Sequence, residues 1–283
     1  MRPTSHSGDD ETIGGACSPH EADRRRVTDA FVTAAAADPR QLPATLCRAC
    51  VELLPVTSAS VSIVGSRTVS ALWCASDRTA ARLAEAQYTV GDGPCQSAIE
   101  LVAPVLAPDL TRGPDARRWP VFAQQAVELG VRAVFSLPLG TSAQAIGTLD
   151  LYRDTTGELS ERDLRIALLA RDAVTFAVLN LQIAPDSRDQ AAGTGVASWV
   201  EAAEADHMEV HQAIGMVMVQ LGVDPEQALD RMRAYAFVQG RTVTEVSQDV
   251  LARTVRFHPD TKPNHAAEDH GRPSGNEEDG DRS

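Results

Sequence analysis

Between Pro185 and Gly195 the chain reads Pro-Asp-Ser-Arg-Asp-Gln-Ala-Ala-Gly-Thr-Gly, and the patterns on either side of that run differ. One proline and two glycines in a polar stretch mark a linker, because they favour neither continued helix nor continued strand. The 283-residue chain is therefore expected to fold as two units. Upstream, strand-like and helix-like patterns are mixed; downstream, the punctuation is purely helical. The boundaries that follow are a larger unit over 27–183, a linker over 184–196 and a smaller unit over 197–257. The end stretches 1–26 and 258–283 lack periodicity and are rich in Ser, Gly, Pro and charge. Both are expected to be disordered, the second as an acidic tail.

In the larger unit, Val27–Ala37 and Leu42–Leu54 have helical spacing. Ser58–Val64 alternates small or polar residues with apolar ones, the signature of a half-buried strand. Val69–Ala75 follows the turn Gly65-Ser66 and completes a hairpin. Pro104–Ala107, Ala133–Leu139 and Ala145–Tyr152 are further strands, the last two joined by Gly140-Thr-Ser. Ser160–Leu181 reads as a long closing helix, with Ser160 and Asp163 as starting caps. These elements predict an α+β unit: an antiparallel sheet with flanking helices, packed on one face.

The smaller unit is predicted to be an all-α bundle of three helices. Trp199–Leu221 places Val210, Ala213, Ile214, Val217 and Leu221 at helical spacing, and Gly222 ends it. Asp224-Pro225-Glu226-Gln227 starts the second helix, with an N-cap acid and proline in the first turn. Gly240 closes it, and the capping box Thr242-Val-Thr-Glu245 opens the third.

Composition removes several functions. Acidic residues outnumber basic ones 39 to 26, a net charge of −13 that repels phosphate backbones and anionic membranes from the chain as a whole. Any nucleic-acid binding needs a local cationic face. No window of about 18 clean apolar residues occurs, and Ala167–Ala184 is interrupted by Arg171 and Asp172. The acidic start lacks a signal-peptide core, so a cytoplasmic protein with reduced cysteines is expected. No histidine lies between His20 and His207. The larger unit is thus expected to hold no haem, zinc or bilin through histidine, and to build no Ser/His/Asp or Cys/His catalytic site. A P-loop is missing as well, so the expectation is no metal, no cofactor and no enzyme. Cys47 and Cys50 share a helix face and read as small core residues. Cys95 follows Gly93-Pro94 at a helix start, where it is either a ligand-facing, reactive thiol or a packing residue.

Two blocks carry a resemblance. Tyr88-Thr-Val-Gly-Asp-Gly-Pro-Cys95, then Pro104–Leu110, then Arg132–Leu139 and Ile146–Tyr152, resemble the central segments of GAF sensory domains. His211-Gln-Ala-Ile-Gly-Met216, continuing through Ala228, Arg231, Arg233, Tyr235 and Arg241, resembles the ANTAR domain of bacterial antitermination regulators. The order GAF then ANTAR is itself characteristic. The resemblance implies a signal-responsive regulator that binds stem-loop RNA in nascent transcripts and promotes transcription antitermination. Two positions depart from the pattern: Ile214 and Phe237 stand where many ANTAR sequences carry a basic residue.

Charge is compatible with the implied RNA face. From Glu201 to His258 five arginines face nine acids, but from Ala228 onward only three acids remain. RNA contact is therefore expected at Gln212, Gly215, Arg231, Arg233, Tyr235 and Arg241, with arginines on phosphates and tyrosine on a splayed base. In the GAF-like unit a small molecule or redox signal is expected among Trp73, Tyr88, Asp92, Cys95, Trp119 and Phe135. Long helices beside the linker predict a homodimer. Two rival readings stay open: a protein-interaction adaptor with a degenerate ANTAR domain, and a GAF-fold methionine sulfoxide reductase using Cys95.

Overall fold

The computed structural model describes residues 18–36, 41–64, 70–141, 143–183 and 197–258. The Gly65-Ser66 turn, Ser142, the linker over 184–196, and the end stretches before residue 18 and after residue 258 lie outside the described residues. The first helix, α1 (Pro19–Ala35), starts well before the expected Val27. Ser18 caps it by accepting the Glu21 amide at 3.3 Å, and Pro19 occupies the first turn. The run Arg24-Arg25-Arg26 hides this start, because it faces solvent while Asp23 and Val27 turn inward. Asp23 is anchored by Arg162, whose Nη2 donates to its Oδ1 at 2.8 Å and whose Nε donates at 3.0 Å. That guanidinium holds the Asp23 carboxyl below the usual range.

The chain continues through α2 (Leu42–Leu53), β1 (Ser58–Val64), β2 (Ser70–Ala75), α3 (Arg78–Val90) and α4 (Pro94–Leu101). Then come β3 (Val105–Ala107), the short α5 (Gly113–Arg118), α6 (Pro120–Glu128), β4 (Ala133–Gly140), β5 (Ala145–Arg153) and α7 (Glu161–Ile183). The five strands form one antiparallel sheet in the order β2-β1-β5-β4-β3. Strand alternation sorts their side chains onto two faces. One face is apolar: Ala59, Val61, Phe135, Leu137, Leu139, Leu149 and Leu151 pack on α1, α2 and α7.

The other face departs from the expected single helical layer. Ser60, Ser62, Ser136, Thr148, Asp150 and Tyr152 occupy it, and all are buried rather than solvated. Helices α3 and α4 cover it, with Ala80, Leu83 and Ala98 packing alongside Val134, Tyr152, Trp119 and Phe122. A strand pattern of polar alternation ordinarily signals a wet face. Here Ser60 pairs with Tyr152 and Thr148 with Asp150, and a second helical layer closes over them.

The smaller unit forms the expected three helices: α8 (Ala197–Leu221), α9 (Pro225–Val238) and α10 (Val243–Leu251). Asp224 accepts the Gln227 amide at 2.9 Å, and Thr242 with Glu245 completes the capping box. Val210, Ala213, Ile214, Val217, Leu229, Met232, Val246 and Val250 make its core. Tyr88 of α3 is buried in the same cluster, so the two units share a boundary. Among the described residues no helix is long and apolar enough to cross a membrane.

Candidate functional site

Cys95 is brought to the polar face of the sheet by the turn Gly91-Asp92-Gly93-Pro94, which starts α4. Its amide donates to Gln87 Oε1 of α3 at 2.8 Å, tying the helix start to the end of the preceding helix. Its Sγ lies 3.2 Å from Thr148 Oγ1, and Thr148 Oγ1 donates to Asp150 Oδ2 at 3.3 Å. A hydroxyl has one hydrogen to give, so with Asp150 ionised the thiol donates to the threonine. The result is a relay from thiol to hydroxyl to carboxylate.

Asp150 is fully buried, and desolvation lifts its carboxyl to about 6 against the opposing pull of Ser136, Thr148 and Cys95. Among the described residues, its Oδ1 and the Ser136 hydroxyl have no hydrogen-bond partner. Beside them Tyr152 OH and Ser60 Oγ are 3.0 Å apart. A buried carboxyl with an unused acceptor, next to a thiol at a helix start, is a site able to take a hydrogen-bond donor or to register thiol chemistry.

Of the residues expected to line a ligand site, Cys95 bonds within this cluster and Trp119 packs beside Tyr152. Phe135 belongs to the opposite, apolar face of the sheet. Trp73 packs against that same core, and Trp119 is buried with its Nε1 donating to Ser97 Oγ at 3.2 Å. Asp92 is exposed, its Oδ1 accepting the Gly93 amide at 2.8 Å. Tyr88 points to the helical bundle. The missed residues are Ser136, Thr148 and Asp150. Their signal was present: Thr148, Asp150 and Tyr152 alternate along one strand, and a carboxylate at such a position is costly unless something uses it.

On the bundle side, Arg233 leaves solvent to meet α3. Its Nε donates to the Tyr88 carbonyl at 3.2 Å, and its guanidinium lies over the Tyr88 ring at 5.9 Å from the centroid. The Val243 amide donates to Thr89 Oγ1 at 3.2 Å, and Thr244 Oγ1 donates to Glu85 Oε1 at 3.0 Å. Burial raises the Glu85 carboxyl pKa. The end of α3 therefore reads two bundle helices at once.

The other expected RNA residues are divided. Gln212, Gly215 and Arg231 face outward, and the space above Gly215 is open. Tyr235 stacks edge-on with Phe257 at 5.5 Å between centroids. Arg241 Nη1 donates to Asp249 Oδ2 at 2.6 Å, and its Nη2 to the Glu245 carbonyl at 3.2 Å. Ile214 fills the bundle core, whereas Phe237 is exposed. Among the described residues no group of three or more His, Cys, Asp or Glu side chains is placed to hold a metal ion.

A buried polar site in an antiparallel sheet is joined through α3 to a three-helix bundle. The chain belongs to the GAF domain family: that family's model matches residues 36–178. The ANTAR domain matches residues 200–251. No curated protein matches the chain. Among solved structures, it is similar to the GAF domain of a phosphoenolpyruvate-protein phosphotransferase from Coxiella burnetii. That similarity has 14% identity and a TM-score of 0.46, covering 59% of this chain and 98% of that one. It is also similar to the free methionine-R-sulfoxide reductase from Neisseria meningitidis in complex with its substrate. There the identity is 18% and the TM-score 0.40, with 59% of this chain and 95% of that one covered.

Proposed function

We propose that this protein is a cytoplasmic, non-catalytic regulator that binds stem-loop RNA in nascent transcripts and promotes antitermination, under control of a small molecule or redox signal sensed around Cys95 and Asp150. The observation that carries this reading is the grip of α3 on Arg233. The same helix holds the Cys95 amide through Gln87. A change at the polar cluster thus has a direct mechanical path to a cation that RNA would use. With Arg233 seated on Tyr88, the bundle is in a masked state; its release adds one phosphate-binding group.

Gly91 provides the test. It sits at φ +73°, and a Cβ there would lie 2.9 Å from two atoms of the Arg233 guanidinium. Gly91→Ala therefore displaces a flexible side-chain end, at a left-handed strain cost of about 1 kcal/mol. Losing the seat removes roughly 1–2 kcal/mol of cation–π and hydrogen-bond stabilisation that RNA binding would otherwise have to overcome. Stem-loop binding by the full chain is expected to tighten roughly five- to twentyfold, measured by titration at fixed salt. Adding Arg233→Ala is expected to abolish the gain and flatten the salt dependence by about one unit of slope. If neither protein binds any hairpin at low salt, the adaptor reading replaces this one.

The homodimer belongs to the same proposal. Phe176 on α7 and Val219 on α8 are 69% and 86% exposed, on the two helices beside the linker. Pairing through them is supported by the cost of leaving such side chains in water. Light scattering is expected to give a dimer, and Phe176→Glu with Val219→Glu to give a monomer. A wild-type monomer at micromolar concentration removes this part of the proposal.

A further inference from the structure

The apolar face of the sheet holds a feature that the sensory site does not use. Cys47 of α2 and Cys74 of β2, 27 residues apart in sequence, place their sulfurs 2.7 Å from one another. That is well inside the ~3.5–4.0 Å at which even carbon atoms pack. Cys50, one helical turn on from Cys47, is buried in the same core cluster. We propose that Cys47 and Cys74 are a dithiol that closes to a reversible disulfide when the protein meets a hydroperoxide.

Position assigns the roles. Cys74 lies on the outermost strand of the sheet and is the most exposed of the three at 7%, whereas Cys47 and Cys50 are at 0%. Burial holds the latter two as neutral thiols. Cys74 is therefore the attacking sulfur. Its S–O bond forms as the peroxide O–O bond breaks, giving a sulfenic acid and the alcohol of the hydroperoxide, or water when the oxidant is hydrogen peroxide. Cys47 sulfur then attacks the Cys74 sulfur; the S–S bond forms, the S–O bond breaks, and the Cys47 proton leaves with the hydroxide as water. Two thiols are oxidised and one hydroperoxide is reduced.

The bridge ties α2 to β2, the strand against which α3 and α8 also rest. It would therefore staple the part of the sheet that borders the bundle. This inference does not depend on RNA being the partner.

The test treats full-length protein with hydrogen peroxide, alkylates it and digests it without reduction. The expected products are a Cys47–Cys74 linked peptide and a loss of two of the five free thiols, both reversed by dithiothreitol. Melting is expected to shift upward by roughly 5–10 °C, since the cross-link constrains the unfolded chain. In Cys47→Ser, the linked peptide disappears and Cys74 becomes labelled by dimedone; Cys50→Ser leaves the linked peptide intact. The proposal is overturned if wild-type protein yields no Cys47–Cys74 peptide at doses that oxidise Cys95. A dominant bridge between any other pair overturns it equally, and neither outcome requires a variant to fold.

Discussion

Replacing Asp150 by asparagine is expected to stabilise the protein at neutral pH by about 1–3 kcal/mol and to remove a fall in stability between roughly pH 4 and 6.5. The cause is the buried carboxyl, whose pKa burial lifts from 3.8 to about 6. Between those two values the unfolded chain has released its proton and the folded chain still holds it. The folded state then binds more protons, so stability falls as pH rises. The contribution is whole below the unfolded pKa, is lost through pH 6, and changes no further above it. Asparagine is neutral throughout, keeps the shape, and can still accept the hydrogen bond from Thr148. Urea titrations of both proteins at pH 4.5 and 7.5 check this. Parallel pH profiles would mean that Asp150 is not the titrating group. A stability gain would also mark Asp150 as retained for sensing rather than for folding.

Gly147→Ala is expected to cost at least about 3 kcal/mol, enough to unfold a marginal domain. Gly147 pairs with Ile63 between the central strands β5 and β1. A Cβ there would lie 2.2 Å from the Ser62 carbonyl oxygen, a backbone atom that can move only if the strands part. Overpacking of this kind has no flexible neighbour to absorb it, unlike the Arg233 end that meets Gly91. Thermal melting of the variant, or its loss to the insoluble fraction, is the readout. A variant that melts within a degree or two of wild type would show that β1 and β5 pair less closely.

Which elements were readable depended on whether their signals were local. The bundle helices announced themselves through Asp224-Pro225 and the Thr242/Glu245 box, because caps are satisfied by residues three positions away. The strands showed through alternation, and β1 runs over Ser58–Val64 as expected. Sequence pattern alone starts α1 at Val27, because Arg24, Arg25 and Arg26 resemble a solvated tail; the distant partner that orders Asp23 is Arg162, 139 residues away. The same held for the sensory site. Cys95 was visible from the helix start that follows Gly93-Pro94, whereas Thr148 and Asp150 looked like the wet side of a strand.

The sequence by itself determined the two-unit plan, the order of the strands, the outer helices and the bundle helices, and the family to which the chain belongs, since periodicity, caps and motifs are short-range; α3, α5 and α6 appear only in the structure. Only the tertiary structure decided that the polar side of the sheet is sealed, that Phe135 and Trp73 lie away from Cys95, and that Arg233 turns to Tyr88 instead of solvent. Each of those depends on a contact between segments remote in sequence. The burial that makes a carboxyl at Asp150 consequential comes from α3 and α4 closing over β5, and no pattern within β5 specifies that cover.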